Sequence, residues 1–76
     1  MSVVFLVEAR TEDGVPVNGA MAAFSSLALA VLWTQEESPM EWTEDPNATV
    51  WAILECEVDG KPPLNIRLLG VKRWEP

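Results

Sequence analysis

The chain has 76 residues, which is the length of one small domain, residues 1–76, with a limited hydrophobic core. Hydrophobic residues make up 49% of it, a share that is typical of folded chains and argues against disorder. One Cys and no His exclude an internal disulfide, a Cys/His zinc site and histidine-based catalysis. Twelve Asp and Glu against five Lys and Arg give a formal net charge of -7.

The N-terminal segment predicts a strand rather than a secretory signal. Residues 3–7 are apolar, but no basic residue precedes them and Glu8 and Arg10 follow at once. The longest apolar run, residues 20–33, is shorter than the ~20 residues that a membrane-spanning helix needs. We therefore expect a cytoplasmic protein, in which Cys56 is a free and unreactive thiol.

The first elements predicted along the chain are two antiparallel strands. Residues 3–10 alternate with a period of two and begin apolar on both faces, which indicates an interior strand. The dipeptides Asp13-Gly14 and Asn18-Gly19 predict a hairpin-type connection. Residues 20–24 then predict a short returning strand.

A helix is predicted next. Ser25 or Ser26 fits its N-cap, and the strong helix formers of residues 27–33 follow. Pro39 ends it, after Glu36 or Glu37. Its apolar arc is wider than contact with one sheet face requires, which predicts either deep burial or a second apolar contact, such as a partner subunit.

The second half of the chain predicts a loop and two strands. Residues 39–49 are irregular, whereas residues 48–58 alternate clearly, and we assign Val50, Ala52, Leu54 and Cys56 to the core face. Asp59-Gly60 predicts a turn, and Lys61-Pro62-Pro63 lengthens this connection. The last strand spans residues 64–74, where Gly70 predicts a bulge or a close backbone approach.

The predicted fold class is therefore α+β with the order ββαββ. One helix covers one face of a four-stranded, mostly antiparallel sheet. On this assignment Trp33 belongs to the core, and Trp51 and Ile53 lie on the uncovered face. Together with Leu29 of the helix, they form a candidate oligomer face.

The acidic residues are concentrated in one region. Between Thr11 and Gly60 there are ten Asp and Glu and no Lys or Arg. An acidic stretch with an aromatic residue at its centre combines electrostatic steering with a hydrophobic anchor. The predicted partner-binding residues are Glu36, Glu37, Glu41, Trp42, Glu44 and Asp45. The alternative is a solvated surface that only keeps the protein in solution.

The partner expected for this stretch is a protein with a basic surface. Concentrated acidity repels phosphate backbones, so direct DNA or RNA binding is not expected. Glu55 and Glu57 have a structural interpretation instead, because they can pair across strands with Arg67 or Arg73.

No cofactor, metal or catalytic site is predicted. The acidic residues lack the Asp-x-Asp-x-Asp-Gly spacing of a calcium loop, and the four glycines do not form a phosphate-binding loop. Ser25 and Ser26 have no histidine to activate them, nor has Cys56. We therefore expect a protein that is not an enzyme.

The N-terminal half resembles a known type of small protein. Val4-Phe5-Leu6-Val7-Glu8, a polar turn and Ala23-Phe24-Ser25-Ser26 before an alanine-rich helix are similar to uncharacterised ββαβ-type proteins of bacteria, phages and prophages. The match covers residues 1–37, and the helix departs from it because its surface is apolar where such helices carry Glu and Lys. The resemblance implies a mobile-element origin.

Two functions follow as hypotheses. Small acidic phage proteins often look like stoichiometric inhibitors of host machinery, anti-CRISPR proteins among them. The leading hypothesis is a non-enzymatic binding protein that masks a basic, nucleic-acid-binding site on a host protein. The alternative is a structural or accessory subunit that forms a homodimer through its apolar helix and Trp-bearing sheet face.

Overall fold

A computed structural model of the chain describes residues 2–58 and 65–75. Its elements, in chain order, are β1 (Val3–Arg10), β2 (Pro16–Phe24), α1 (Leu27–Glu36), α2 (Pro39–Thr43), β3 (Val50–Glu57) and β4 (Ile66–Arg73). The predicted α+β class and the sheet of four strands are confirmed. The predicted turn Asp59-Gly60 and the connection Lys61-Pro62-Pro63 lie outside the described residues.

The sheet has the strand order β2-β1-β3-β4, and every neighbouring pair is antiparallel. β1 is an interior strand, as its apolar faces predict. It pairs with β3 without interruption, so that Val7 lies opposite Ile53 and Ala9 lies opposite Trp51. This register decides which face of β3 meets the helices.

The first hairpin turn is tighter than predicted. The Thr11 N–H donates to the Val15 carbonyl at 2.9 Å, and Gly14 adopts a left-handed φ of 86°. Asn18 and Gly19, with φ of 59° and 73°, lie inside β2 at an irregularity in its register with β1. Two left-handed residues in a row make a bulge rather than a turn here, so β2 begins four residues before the predicted strand.

The bulge predicted in the last strand is present. Ile53 lies opposite Gly70, and Leu54 lies opposite Leu68, so Leu69 is an extra residue without a direct partner. Beyond the bulge, Trp74 packs against the core, and its N–H donates to the Thr49 carbonyl at 2.9 Å.

The core lies between α1 and one face of the sheet. Its central residues are almost fully buried: Val7, Ala9, Ala30, Ala48 and Trp51. Because Trp51 pairs with Ala9 and Ile53 with Val7, these β3 residues share the face of β1 that meets the helix. Val50, Ala52 and Cys56 are buried, as their assignment to the core predicts, but together with Leu54 they lie on the opposite face of the sheet, so their assignment to the helix-covered face is wrong.

The candidate oligomer face is divided by this register. Trp51 is 1% exposed and Ile53 packs against the core, so neither lies on an uncovered face of the sheet. Leu29 is 50% exposed on the outer side of α1. The three residues do not form one surface.

α1 begins at a single well-defined N-cap. Ser26 has extended backbone angles, and its Oγ accepts the Leu29 N–H at 3.2 Å, whereas no such bond is made by Ser25. The helix ends at Glu37, whose N–H donates to the Trp33 carbonyl at 3.1 Å. The N-cap left open between two serines is thus Ser26.

We expect Ser26→Ala to lower the free energy of unfolding by about 1 kcal/mol, because an N–H of the first helical turn loses its acceptor. Ser25→Ala is the control and is expected to change it by less than about 0.5 kcal/mol. Urea unfolding monitored by circular dichroism measures both. An equal loss of stability in the two variants would show that Ser26 is not the N-cap of α1.

Candidate protein-binding surface

A cluster of aromatic rings connects the core to the acidic region. The Trp33 ring centroid lies 4.9 Å from that of Trp51 in the core and 5.6 Å from that of Trp42 in α2. Phe24 adds a third contact to Trp33 at 5.9 Å. These tilted arrangements are favourable for aromatic pairs, and they hold α2 against the end of α1.

Glu37 forms the corner between the two helices. Its main-chain carbonyl accepts the Trp51 indole N–H at 2.7 Å, and its carboxylate accepts the Trp42 indole N–H at 3.1 Å. One residue therefore fixes the orientation of two tryptophans. The Trp51 bond is the more important for stability, because it is shielded from water, whereas the Trp42 bond is exposed.

The helix α2 lies in the segment that was predicted to be a loop. Pro39 ends α1 as predicted, but it also occupies the first turn of α2, where its missing N–H costs nothing. The Glu44 N–H then donates to the Met40 carbonyl at 2.8 Å, with Glu44 in a left-handed conformation. Ser38-Pro39 followed by Glu41 is a helix-start pattern, and that signal in the sequence was missed.

The six predicted partner-binding residues divide into two groups. Glu36, Glu41 and Glu44 are exposed, and Trp42 is 51% exposed. Glu37 and Asp45 are partly buried, and their carboxylates accept internal hydrogen bonds; for Asp45 the donor is the Asn47 N–H at 2.8 Å. The side chains of the first group are accessible to a partner, whereas the carboxylates of the second group stabilise the local backbone through internal hydrogen bonds.

Exposed leucines extend this region along α1. Leu29 and Leu32 are 50% and 51% exposed. Leu32 follows Leu29 by three residues and Glu36 follows Leu32 by four, so the three residues lie on one outer face of the helix. The wide apolar arc of the helix predicted a second contact. Leu29, however, was predicted to lie on an oligomer face with Trp51 and Ile53, and Leu32 was not among the predicted binding residues. We call the combined set the acidic helical surface: Leu29, Leu32, Glu36, Glu41, Trp42 and Glu44.

The charges of this surface are not neutralised within the described part of the chain. The ion pairs found there all lie on the strands and the first hairpin: Glu8–Arg10 at 2.8 Å, Glu12–Arg73 at 2.8 Å and Glu55–Arg67 at 2.7 Å. The last of these confirms the predicted cross-strand pair. Glu36, Glu41 and Glu44 take part in none of them, so their charge is available to a partner.

A shallow cleft borders the surface. Glu36, Met40 and Glu41 line one wall, and the other is lined by Arg73, the last residue of β4, and by Trp74, which follows it. At its base the Thr49 hydroxyl is buried without a hydrogen-bond partner in the described structure. The cleft extends the exposed region from α2 to the end of β4.

Within residues 2–58 and 65–75, no group of three His, Cys, Asp or Glu side chains is arranged to hold a metal ion. In the same part of the chain, neither helix has the length and hydrophobicity needed to cross a membrane. The chain matches no family model, no curated protein sequence and no solved structure. The acidic helical surface is therefore the candidate functional site.

Proposed function

We propose that the chain is a non-enzymatic protein-binding module whose acidic helical surface docks on a basic surface of a larger protein. One observation carries the proposal. Three large apolar side chains, Leu29, Leu32 and Trp42, are about half exposed beside carboxylates that have no cationic partner among the described residues. A surface that only keeps a protein in solution needs the carboxylates but not the exposed apolar groups.

The two kinds of side chain have different roles in binding. The carboxylates attract a cationic partner over a distance and favour its arrival in the correct orientation. The apolar groups lose their contact with water on docking and supply affinity. Trp42 is the central anchor, because its contacts with Trp33 and Glu37 already fix its ring before a partner arrives.

The chemistry of the surface selects a partner rich in arginine. A guanidinium can pair with Glu41 or Glu36 and stack on the exposed face of Trp42. Grooves that bind nucleic acid carry such residues at high density. Occupying such a groove inhibits its owner, and this is the basis for proposing an inhibitor of nucleic-acid-handling machinery. A mobile-element origin is supported only by the N-terminal resemblance.

The test begins with a photo-cross-linking residue at position 32, used in extracts of the source organism to capture the partner. Position 57 serves as the control site, because it is the last residue of β3 and lies at the end of the sheet away from Glu37 and the junction of the two helices. The captured protein is then purified, and its affinity for the chain is measured at low and high salt. We expect the affinity to fall steeply as salt increases.

Variants then separate specific docking from general charge. We expect Glu36→Lys with Glu41→Lys to weaken binding on the order of 100-fold, and Trp42→Ala on the order of 30-fold. Asp13→Lys with Glu57→Lys changes the net charge equally but lies outside the surface, so its effect should be several-fold smaller. Affinity that is insensitive to salt, or equal losses in the two charge variants, would refute the proposal.

A further inference from the structure

The face of the sheet that the helices leave uncovered is almost entirely apolar. We call it the open sheet face, and its larger aliphatic residues are Val4, Leu6, Val50, Leu54, Ile66, Leu68 and Val71. Val50, Ala52 and Cys56 of β3 are already buried by their neighbours on this face. The register places Leu6, Leu54 and Leu68 in one row across three strands. Ile66, Leu68 and Val71 on the edge strand are 53%, 49% and 59% exposed. Single exposed leucines are ordinary, but a continuous apolar face is not.

The open sheet face carries three charged side chains with a net charge of +1, in contrast with the net charge of -7 of the chain as a whole. Among the described strand residues, its charged side chains are Glu8, Arg10 and Arg73. Glu8 and Arg10 pair with each other at 2.8 Å, and Arg73 pairs with Glu12 at 2.8 Å. Both pairs lie towards one end of the face, and Glu8, which adjoins Leu6 on β1, is neutralised by its pair with Arg10.

We propose that the open sheet face binds a second copy of this chain, related by a two-fold axis, so that the two sheets form a sandwich. Sheets pack face to face in this way at about 10 Å, with side chains from both inner faces interlocking. The surface that docks is self-complementary, as a two-fold interface requires. The proposal concerns a different face from the acidic helical surface and goes beyond the proposed function.

The available area is sufficient for a stable dimer. Four strands of about eight residues cover roughly 19 by 26 Å, or about 500 Å² of flat area for each copy. The accessible area is larger than the flat area because it follows the relief of the side chains. The pair therefore reaches the ~1,000 Å² that marks a specific interface.

Charge favours a second copy on this face rather than on the other. At about 10 Å for each packed layer, the two acidic helical layers of the sandwich lie about 30 Å apart, on its outer sides. That distance is nearly four Debye lengths at physiological salt, so the carboxylates of the two helical layers scarcely oppose association. A dimer through the helical surfaces would bring the same carboxylates into contact.

The test measures the mass of the full chain by sedimentation equilibrium up to millimolar concentration, with two matched variants. Leu68→Lys places a charge in the open sheet face, and Leu32→Lys places the same charge on a leucine of equal exposure on α1. We expect the unmodified chain to be a dimer, Leu68→Lys to weaken it on the order of 100-fold, and Leu32→Lys to leave it unchanged. Circular dichroism checks that both variants fold.

A second measurement does not depend on a variant. In a mixture of differently labelled copies, isotope-filtered NMR is expected to show contacts between methyl groups of Leu6, Leu54 and Leu68 from different copies. A monomer at all concentrations overturns the proposal. It is also overturned by a dimer that Leu32→Lys disrupts, or by contacts confined to the edge strand β4. Partner affinity per site is not affected by Leu68→Lys, so failure here is distinguishable from failure of the proposed function.

Discussion

Trp51→Ala is expected to lower the free energy of unfolding by about 3–5 kcal/mol, which is most or all of the stability of a domain of this size. Trp51 is 1% exposed, packs against Trp33 with the two rings tilted by 56°, and donates its indole N–H to the Glu37 carbonyl. Removing it leaves a cavity at the centre of the core and an unpaired carbonyl at the corner between the helices. Urea unfolding monitored by far-ultraviolet circular dichroism measures the loss.

Two further variants separate the contributions of the ring and the hydrogen bond. Trp51→Phe keeps an aromatic ring but loses the N–H, and we expect a loss of about 1–3 kcal/mol. Trp42→Ala removes the same side chain type from a half-exposed position, and we expect a loss of about 1 kcal/mol or less. If the two alanine variants were equally unstable, Trp51 would not be at the centre of the core.

The position of Trp51 also shows which structural features could not be predicted from local sequence patterns. β1, the N-cap and the bulge beside Gly70 depend on local patterns, namely alternation, a hydroxyl before a helix and a glycine within a strand. The first was predicted outright, the second as Ser25 or Ser26, and the third as one of two alternatives. The inward face of β3 was not predicted, because β3 is apolar on both faces. Only its pairing with β1, a contact between distant segments, decides that Trp51 faces the helix.

The acidic region was predicted in composition but not in shape. Charge counting identified all the acidic residues, yet it could not distinguish Glu41, which is exposed, from Asp45, whose carboxylate accepts the Asn47 N–H. That distinction depends on α2, a single turn and a half of helix that is too short to produce a periodic pattern. Leu32 became part of the surface only once the face of α1 that packs on the sheet was known.

The two proposed surfaces lie on opposite sides of the sheet, which has a consequence if both proposals hold. A sandwich dimer presents two acidic helical surfaces, one on each outer side, pointing away from each other. Such a dimer binds two partner molecules, or one partner that offers basic surfaces on both sides of it. Binding by a dimer to two linked sites gains affinity from the high effective concentration of the second site.

Ala30→Glu is the substitution that tests the packing of α1 most directly, and we expect it to lower the free energy of unfolding by at least about 3 kcal/mol. Ala30 is fully buried where the helix meets the sheet, so a longer charged side chain there must separate the two layers or remain unpaired. Ala28→Glu introduces the same residue two positions earlier, on the exposed side of the same helix. We expect it to change stability by less than about 0.5 kcal/mol, since Glu is only a slightly weaker helix former than Ala and a carboxylate near the helix N-terminus is favourable. Equal effects of the two variants in urea unfolding would mean that α1 presents a different face to the sheet. The exposed stripe of Leu29 and Leu32 would then be misplaced, and the proposed function would lose its main support.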